Sequence, residues 1–386
     1  MQIFKNPNFK FMQYKIYAFI VSGIIIAIGI VNITARKGLN YGIDFAGGTL
    51  IRLMFKHEVP ISKVRRSLGD AGLGNSRIQE IENNQREYLI RTMQAKEDEG
   101  LEGELEAHVI IGNRVIEALR GEEEKSAVES NQKDLNSIDE SELRRLIEPS
   151  FPEEAEKASK EILSFRVSEG IIQDYAQLQQ ETGINSEIIE FLKTKTFLGR
   201  LAVLSKETVG PQIGQDLQRK ATQATIWALL GMLIYIGIRF KYAFGVSAIL
   251  TLAHDVLITM GILSFTNREI NLPVIAAILT LVGYSLNDTI VIFDRVRDNL
   301  KIFRKDELEV ILDKSINQTL SRTIVTSGTT FLTVAALFLF GGEVINDFAF
   351  TMMVGVLIGT YSSIYQSCPL LYFWNKLFKP KKGMVK

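Results

Sequence analysis

An aspartate inside an apolar run is the first place in this sequence where chemistry could occur. Asn287 and Asp288 lie in GYSLNDTIVIFDRVR (Gly283–Arg297), and the run Leu272–Phe293 around them contains no other acidic or basic residue. A carboxylate at membrane depth costs roughly 2.5–3.5 kcal/mol on insertion scales, so such groups face a bundle interior or a wet path. Counted back from Phe293, Asp288 sits roughly 7–8 Å inside the end of the run. The cation best placed to meet it is Arg322 in LSRTIVTSGTT (Leu320–Thr330), just ahead of another apolar run. Thr326 and Thr329 share the helical face of Arg322, and Ser327 and Thr330 make that end still more polar. A cation at a helix start opposes the macrodipole, a cost that a nearby carboxylate would offset. Burial favours the neutral acid and a close arginine favours the anion, so a change in their separation would load and release a proton. Two plainer readings stay open: an interhelical hydrogen bond for Asp288 and a snorkelling anchor for Arg322.

A second polar point is His254–Asp255 in LTLAHDVLITMG (Leu250–Gly261). Helix rise puts Asp255 roughly 10 Å further out than Asp288, where it would extend a proton path or serve as a structural bond. Asn287 is expected to bridge helices. Arg295 and Arg297 suit the end of their helix and read as anchors, and Gly355, Gly359 and Ser363 form a small-residue packing face. No G-x-x-x-x-G-K-[ST] loop is present, and His57, His108 and His254 are dispersed without H-E-x-x-H spacing. Neither a nucleotide, a metal nor another cofactor is expected, and nothing marks an enzyme.

The elements that must hold these residues follow from hydropathy. With 46% hydrophobic and 23% charged residues, the chain is too charged for a pure membrane bundle and requires a polar part. Net charge is +0, which leaves nothing to attract nucleic acid. The single cysteine, Cys368, excludes an intramolecular disulfide. Six windows approach spanning length: Ile16–Thr34, Thr222–Ile238, Tyr242–Phe265, Leu272–Phe293, Thr323–Phe340 and Phe348–Trp374. The first is long for a signal peptide and reads as uncleaved.

Arg239, Lys241, the basic loop Arg295–Arg322 and a basic tail (375–386) mark one side, so both termini are expected in the cytoplasm. Residues 1–15 then form a cytoplasmic N-terminus, and 222–374 a five-helix membrane domain. Residues 35–221 form an external domain with a β-α-β-β-α-β pattern: Gly47–Phe55, Ile61–Gly72, SRIQEI, REYLIRTM, Leu105–Arg120 and Arg200–Glu207. That order predicts a ferredoxin-like α/β sandwich. Gly47–Gly48 reads as a tight lead into the first strand. Residues 121–195 exceed what the fold needs and read as a mostly helical insertion with a flexible acidic start, either a solvated spacer or a docking surface.

NYGIDFAGGT (Asn40–Thr49), ETVGPQIG (Glu207–Gly214), AHDVLIT (Ala253–Thr259), GYSLNDTIVIFDRVRDN (Gly283–Asn299) and LSRTIVTSGTT resemble, in order, the SecF family of bacterial protein-export subunits. The resemblance implies an RND-superfamily-like half that pairs with SecD, works with the SecYEG translocon on a translocating preprotein, and lies in the lipid of the inner membrane. A YajC-type accessory subunit is a further implied partner. It implies use of the proton-motive force, with the family's relay aspartate on Asp288 and its arginine on Arg322. The insertion departs from the shorter family pattern. Two rivals are an intramembrane aspartyl protease, which needs Asp255 and Asp288 in contact, and a self-sufficient small-molecule exporter, for which one helix set is half a machine.

Overall fold

The computed structural model describes residues 4, 7–36, 38–81, 85–92 and 104–378. Lys5 and the tail lysines 379–386 lie outside the described residues. The chain divides into two compact units, one of Met1–Gly42 with Gln218–Lys386, the other of Ile43–Leu217.

In the first unit a single 3-10 turn, Phe11–Tyr14, leads into α1, Lys15–Ala35. The second unit opens with the short α2, Ile43–Ala46, then β1, Gly48–Phe55. Gly47 (φ 72°) and Gly48 (φ 133°) make the turn between them, in backbone regions that a Cβ disfavours. Then come α3 (Ile61–Asp70), β2 (Arg77–Glu80), β3 (Glu87–Thr92) and α4 (Glu104–Leu119). The insertion supplies α5 (Glu122–Glu129), β4 (Lys133–Asp134), α6 (Glu140–Ile147), α7 (Ala155–Glu169), α8 (Tyr175–Thr182), α9 (Ser186–Lys195) and β5 (Thr196–Phe197), and β6 (Leu201–Val209) completes the sheet.

The four long strands run β2-β3-β1-β6, all neighbours antiparallel. Alternation along β1 turns Ile51, Leu53 and Phe55 into a core with Val64, Leu68, Tyr88, Ile90, Val115 and Leu201. On the opposite face Met54 sits against Gly170, the positive-φ residue that ends α7.

The insertion is a helical subdomain, and its acidic start is a helix rather than the expected flexible run. Its own core joins Leu135, Leu143, Ile147, Ile162, Leu178, Ile188 and Leu192. The acidic start is the helix α5, because Glu122–Glu124 in its first turn suit the dipole and Glu124 accepts from the Gly121 N–H at 2.7 Å. A polar hub stitches the insertion to the strand that follows. Asn136 Nδ2 donates to the carbonyls of Ile172 and Gly199, both at 3.0 Å, and Asn136 Oδ1 accepts from Ile172 N–H. Asp134 Oδ1 accepts from the N–H groups of Asn136 and Gly199, at 3.0 and 2.9 Å. Arg166 donates to the carbonyls of Leu135 and Ile138, and burial pushes its guanidinium down to about 10 against the pull of Asp134 and Asp139.

The first unit resumes along α10 (Pro211–Arg239), followed by α11 (Tyr242–Phe265), α12 (Leu272–Ile302), α13 (Leu308–Phe340), α14 (Glu343–Tyr365) and α15 (Ser367–Phe378). Among the described residues six candidate membrane spans result, with α14 and α15 sharing one. That last span breaks at Gln366 because Pro369 has no N–H to give the Tyr365 carbonyl. α12 and α13 extend well past the apolar windows, since charged and amphipathic residues such as Arg295–Lys301 and Leu308–Ser321 continue the helices beyond their apolar parts.

Close crossings hold the bundle. A Cβ on Gly29 of α1 would lie 2.8 Å from the Gly261 Cα of α11. Gly355 and Gly359 of α14 seat against Leu281 and Ser285 of α12. By contrast α10 exposes Ile226, Trp227, Ile234 and Ile238, an apolar surface suited to lipid.

Candidate functional site

Asp288 is near the middle of α12 and buried, and Ser327 Oγ of α13 donates to its Oδ2 at 3.2 Å. Arg322 lies on the same helix as Ser327, but among the described ion pairs of 4.0 Å or less none joins it to Asp288. Arg322 is exposed and lines a cavity of about 1060 Å³ with Lys10, Lys15, Arg295, Asp313 and Gln318. It is not at a helix start: α13 begins fourteen residues earlier, at Leu308, so the expected conflict with the macrodipole does not arise. Ser327 lies five residues beyond Arg322, roughly 140° around the helix, so the two side chains leave α13 in different directions.

The N-terminal segment straps the outer part of α13 that leads to this cavity. Phe9 and Asn317 exchange two hydrogen bonds at 2.9 and 2.8 Å, Met12 N–H donates to Asp313 at 2.9 Å, and Lys15 pairs with Glu309 at 2.9 Å. Arg295 donates to Gln318, while Arg297 and Arg239 both pair with Asp294.

The threonines near Arg322 divide by face. Thr329 is exposed, and its hydroxyl, like that of Thr330, donates to the carbonyl of Thr326 within the helix. Thr326 is half-buried. Of the four hydroxyl residues predicted for this track, Ser327 alone meets Asp288 through a hydrogen bond among the described residues. Asn287 is exposed on the far side of α12, on one stripe with Thr280 and Gly283, so within this chain it faces outward rather than to a neighbouring helix.

Asp255 of α11 is fully buried and held on both oxygens. Oδ1 meets His254 Nδ1 at 2.8 Å, and Oδ2 accepts from Ser285 of α12 and from Ser362 of α14, the latter at 2.8 Å. Ser285 precedes Asp288 by three residues, roughly 4.5 Å of rise. Asp255 therefore stands about one turn from Asp288 rather than the expected 10 Å, because the ends of apolar runs are not level where α12 continues to Ile302. No hydrogen bond joins the two carboxyl groups among the described residues, and serine hydroxyls occupy the oxygens between them. Ser285 and Ser362 escaped the sequence reading because single serines in apolar helices carry no periodic signal. The nearby Gly355 and Gly359, which bring α12 and α14 together, were the available clue.

Two buried carboxylates among six long apolar helices, with a second, sheet-bearing unit, define a multi-pass membrane protein of transporter type. Residues 190–377 match the family model described as protein export membrane protein SecD/SecF, C-terminal, and residues 33–59 match the SecD/SecF GG motif. The protein translocase subunit SecF of Koribacter versatilis is 36% identical, with 97% of this chain and 94% of that relative covered. That of Desulfurispirillum indicum is 38% identical over 95% and 91%. A crystal structure of SecDF from Thermus, described as a translocon-associated membrane protein, superposes with a TM-score of 0.66 at 30% identity. It covers 96% of this chain, which spans 39% of the SecDF chain. The chain belongs to the SecF family.

Proposed function

We propose that this protein is the SecF-type subunit of a proton-driven export complex, in which a SecD-type partner supplies the helices that this chain lacks. The observation that carries the reading is Asp288: a buried carboxylate on a membrane helix, held among the described residues by one serine hydroxyl of α13, the helix that also carries Arg322, which has no ion pair with it there. Asp288 carries the proton, and approach and withdrawal of Arg322 switch it between anion and acid. Asp255 lies on the same polar route.

Family membership supports work on preproteins beside a SecYEG-type channel. The outward stripe Thr280, Gly283 and Asn287 on α12, with Arg322, Thr329 and Thr333 exposed on α13, supports a protein partner at that face, since polar groups at membrane depth are poorly suited to lipid. Clustering of arginine and lysine supports cytoplasmic termini and a periplasmic second unit in the bacterial inner membrane. The strand order supports the ferredoxin-like reading of that unit. The Asp255–Asp288 arrangement disfavours a protease, whose shared-proton dyad requires carboxyl contact.

The test is Asp288→Asn in the complex purified from native membranes. Assembly with the SecD-type subunit should persist while proton-dependent stimulation of export is lost; full stimulation would exclude the relay. Arg322→Ala should likewise impair coupling while leaving loop accessibility unchanged, whereas inverted topology would make Arg322 an anchor.

A further inference from the structure

His254 is nine-tenths buried between α11 and α14, yet the relay of Asp288 and Arg322 makes no use of it. Its side chain is 10% exposed, Nδ1 lies 2.8 Å from Asp255 Oδ1, and the ring stacks on Tyr361 with centroids 6.3 Å apart. Nε2 is buried with no hydrogen-bond partner among the described residues.

The charge on Asp255 decides what that nitrogen is. Two serine hydroxyls donate to Oδ2, which leaves Oδ1 for the imidazole. With Asp255 ionised, Nδ1 carries the hydrogen and Nε2 presents a bare lone pair in a buried site. A buried acceptor with nothing to accept from is costly, and a proton is the smallest group that can occupy it. The imidazolium so formed would lie against the Asp255 carboxylate and over the Tyr361 ring, and both contacts offset the cost of burying the charge.

We propose that His254, oriented by Asp255, is a second proton-binding site of the bundle, taking the proton at Nε2. The inference rests on the proton-driven reading above. On uptake the Nε2 lone pair forms one N–H bond, Nδ1 keeps its hydrogen, and the His254–Asp255 pair passes from net negative to neutral; release reverses this. Ser285, which donates to Asp255, lies three residues before Asp288 on α12. The titratable groups that face His254 are Asp255 on α11 and Tyr361 on α14, with Tyr365 stacked on Tyr361. From α1, Ser22 reaches Tyr361, with their oxygens 3.3 Å apart.

His254→Gln keeps a donor for Asp255 but cannot take a proton. In the reconstituted complex, proton-dependent export measured over about pH 5.5–8.5 should lose one step of its pH profile. An unchanged profile overturns the proposal. Should the variant not assemble, ¹⁵N-histidine spectra of the unmodified complex decide: the chain has 3 histidines, and the Nε2 signal of His254 should pass from bare to protonated over the same range. A constant signal overturns the proposal. Asp288→Asn separates the two claims, because retained stimulation there removes the relay while the spectra still report on His254.

Discussion

Asp134 and Asp288 are equally buried, at 3% and 4% exposure, but they are held by different kinds of groups. Asp134 takes two backbone N–H donors, from Asn136 and Gly199, and has Arg120 at 3.9 Å. Backbone donors on folded segments cannot turn away, so Asp134 is locked. Among the described residues Asp288 is held by one serine hydroxyl, which rotates, while Arg322 lines a cavity without pairing with it. Burial alone therefore does not separate a structural carboxylate from one proposed to carry a proton. The rigidity of the partners is what differs between these two.

If that contrast is right, the largest effect comes from breaking the rigid hub. Asn136→Ala removes three side-chain bonds and leaves the Ile172 N–H and two carbonyls unpaired in the interior. It should destabilise the insertion by about 3 kcal/mol, read as faster hydrogen exchange at Ile172 and Gly199. Unchanged protection would mean that the hub holds nothing.

A smaller effect is expected from Ser327→Ala, which takes away the only hydrogen bond found on Asp288 among the described residues. A bond to a charged group is worth about 1.5–3 kcal/mol, so proton-dependent stimulation should fall by on the order of tenfold without vanishing. Stimulation equal to the parent's would show that this contact does not tune the site.

The smallest effect is a slope. Burial pushes the Asp134 carboxyl above its usual range, outweighing the N–H donors of Gly199 and Asn136 and the pull of Arg120. The native chain thus keeps a proton that the unfolded chain releases. Its contribution is complete at low pH and falls as pH rises from the ordinary value of 3.8 to the raised native one, then stays flat. Asp134→Asn should remove this slope, so its unfolding temperature relative to the parent should rise with pH through that window. Asp139 has the opposite sign: burial pushes it up, but the N–H of Glu142 and other donors win and hold it low, so its contribution is lost as pH falls.

Much of this was legible because it is periodic. Apolar runs of spanning length, alternation in Gly47–Phe55 and the strand-helix order of the second unit come from local residue patterns. Asp288 stood out for the same reason, as a charge in a run without others. Arg322 was legible as a candidate but misplaced, because the helix-forming stretch Leu308–Ser321 is amphipathic and falls below a hydropathy threshold while still extending α13. The helices of the insertion were legible, but not its acidic start, which has the composition of a linker and is the helix α5; the hub around Asn136 and the core of Leu143, Ile162 and Leu192 were not legible either.

The sequence by itself determined a six-span chain with a sheet-bearing second unit and a carboxylate stranded in an apolar helix, since each follows from the cost of burying polar groups along one segment. Tertiary structure alone decided which groups meet. Ser327 rather than Arg322 touches Asp288, Ser285 and Ser362 converge on Asp255, and the Nε2 of His254 finds no hydrogen-bond partner among the described residues, because those contacts depend on the rotation and depth of helices packed through Gly355 and Gly359, which no single helix encodes.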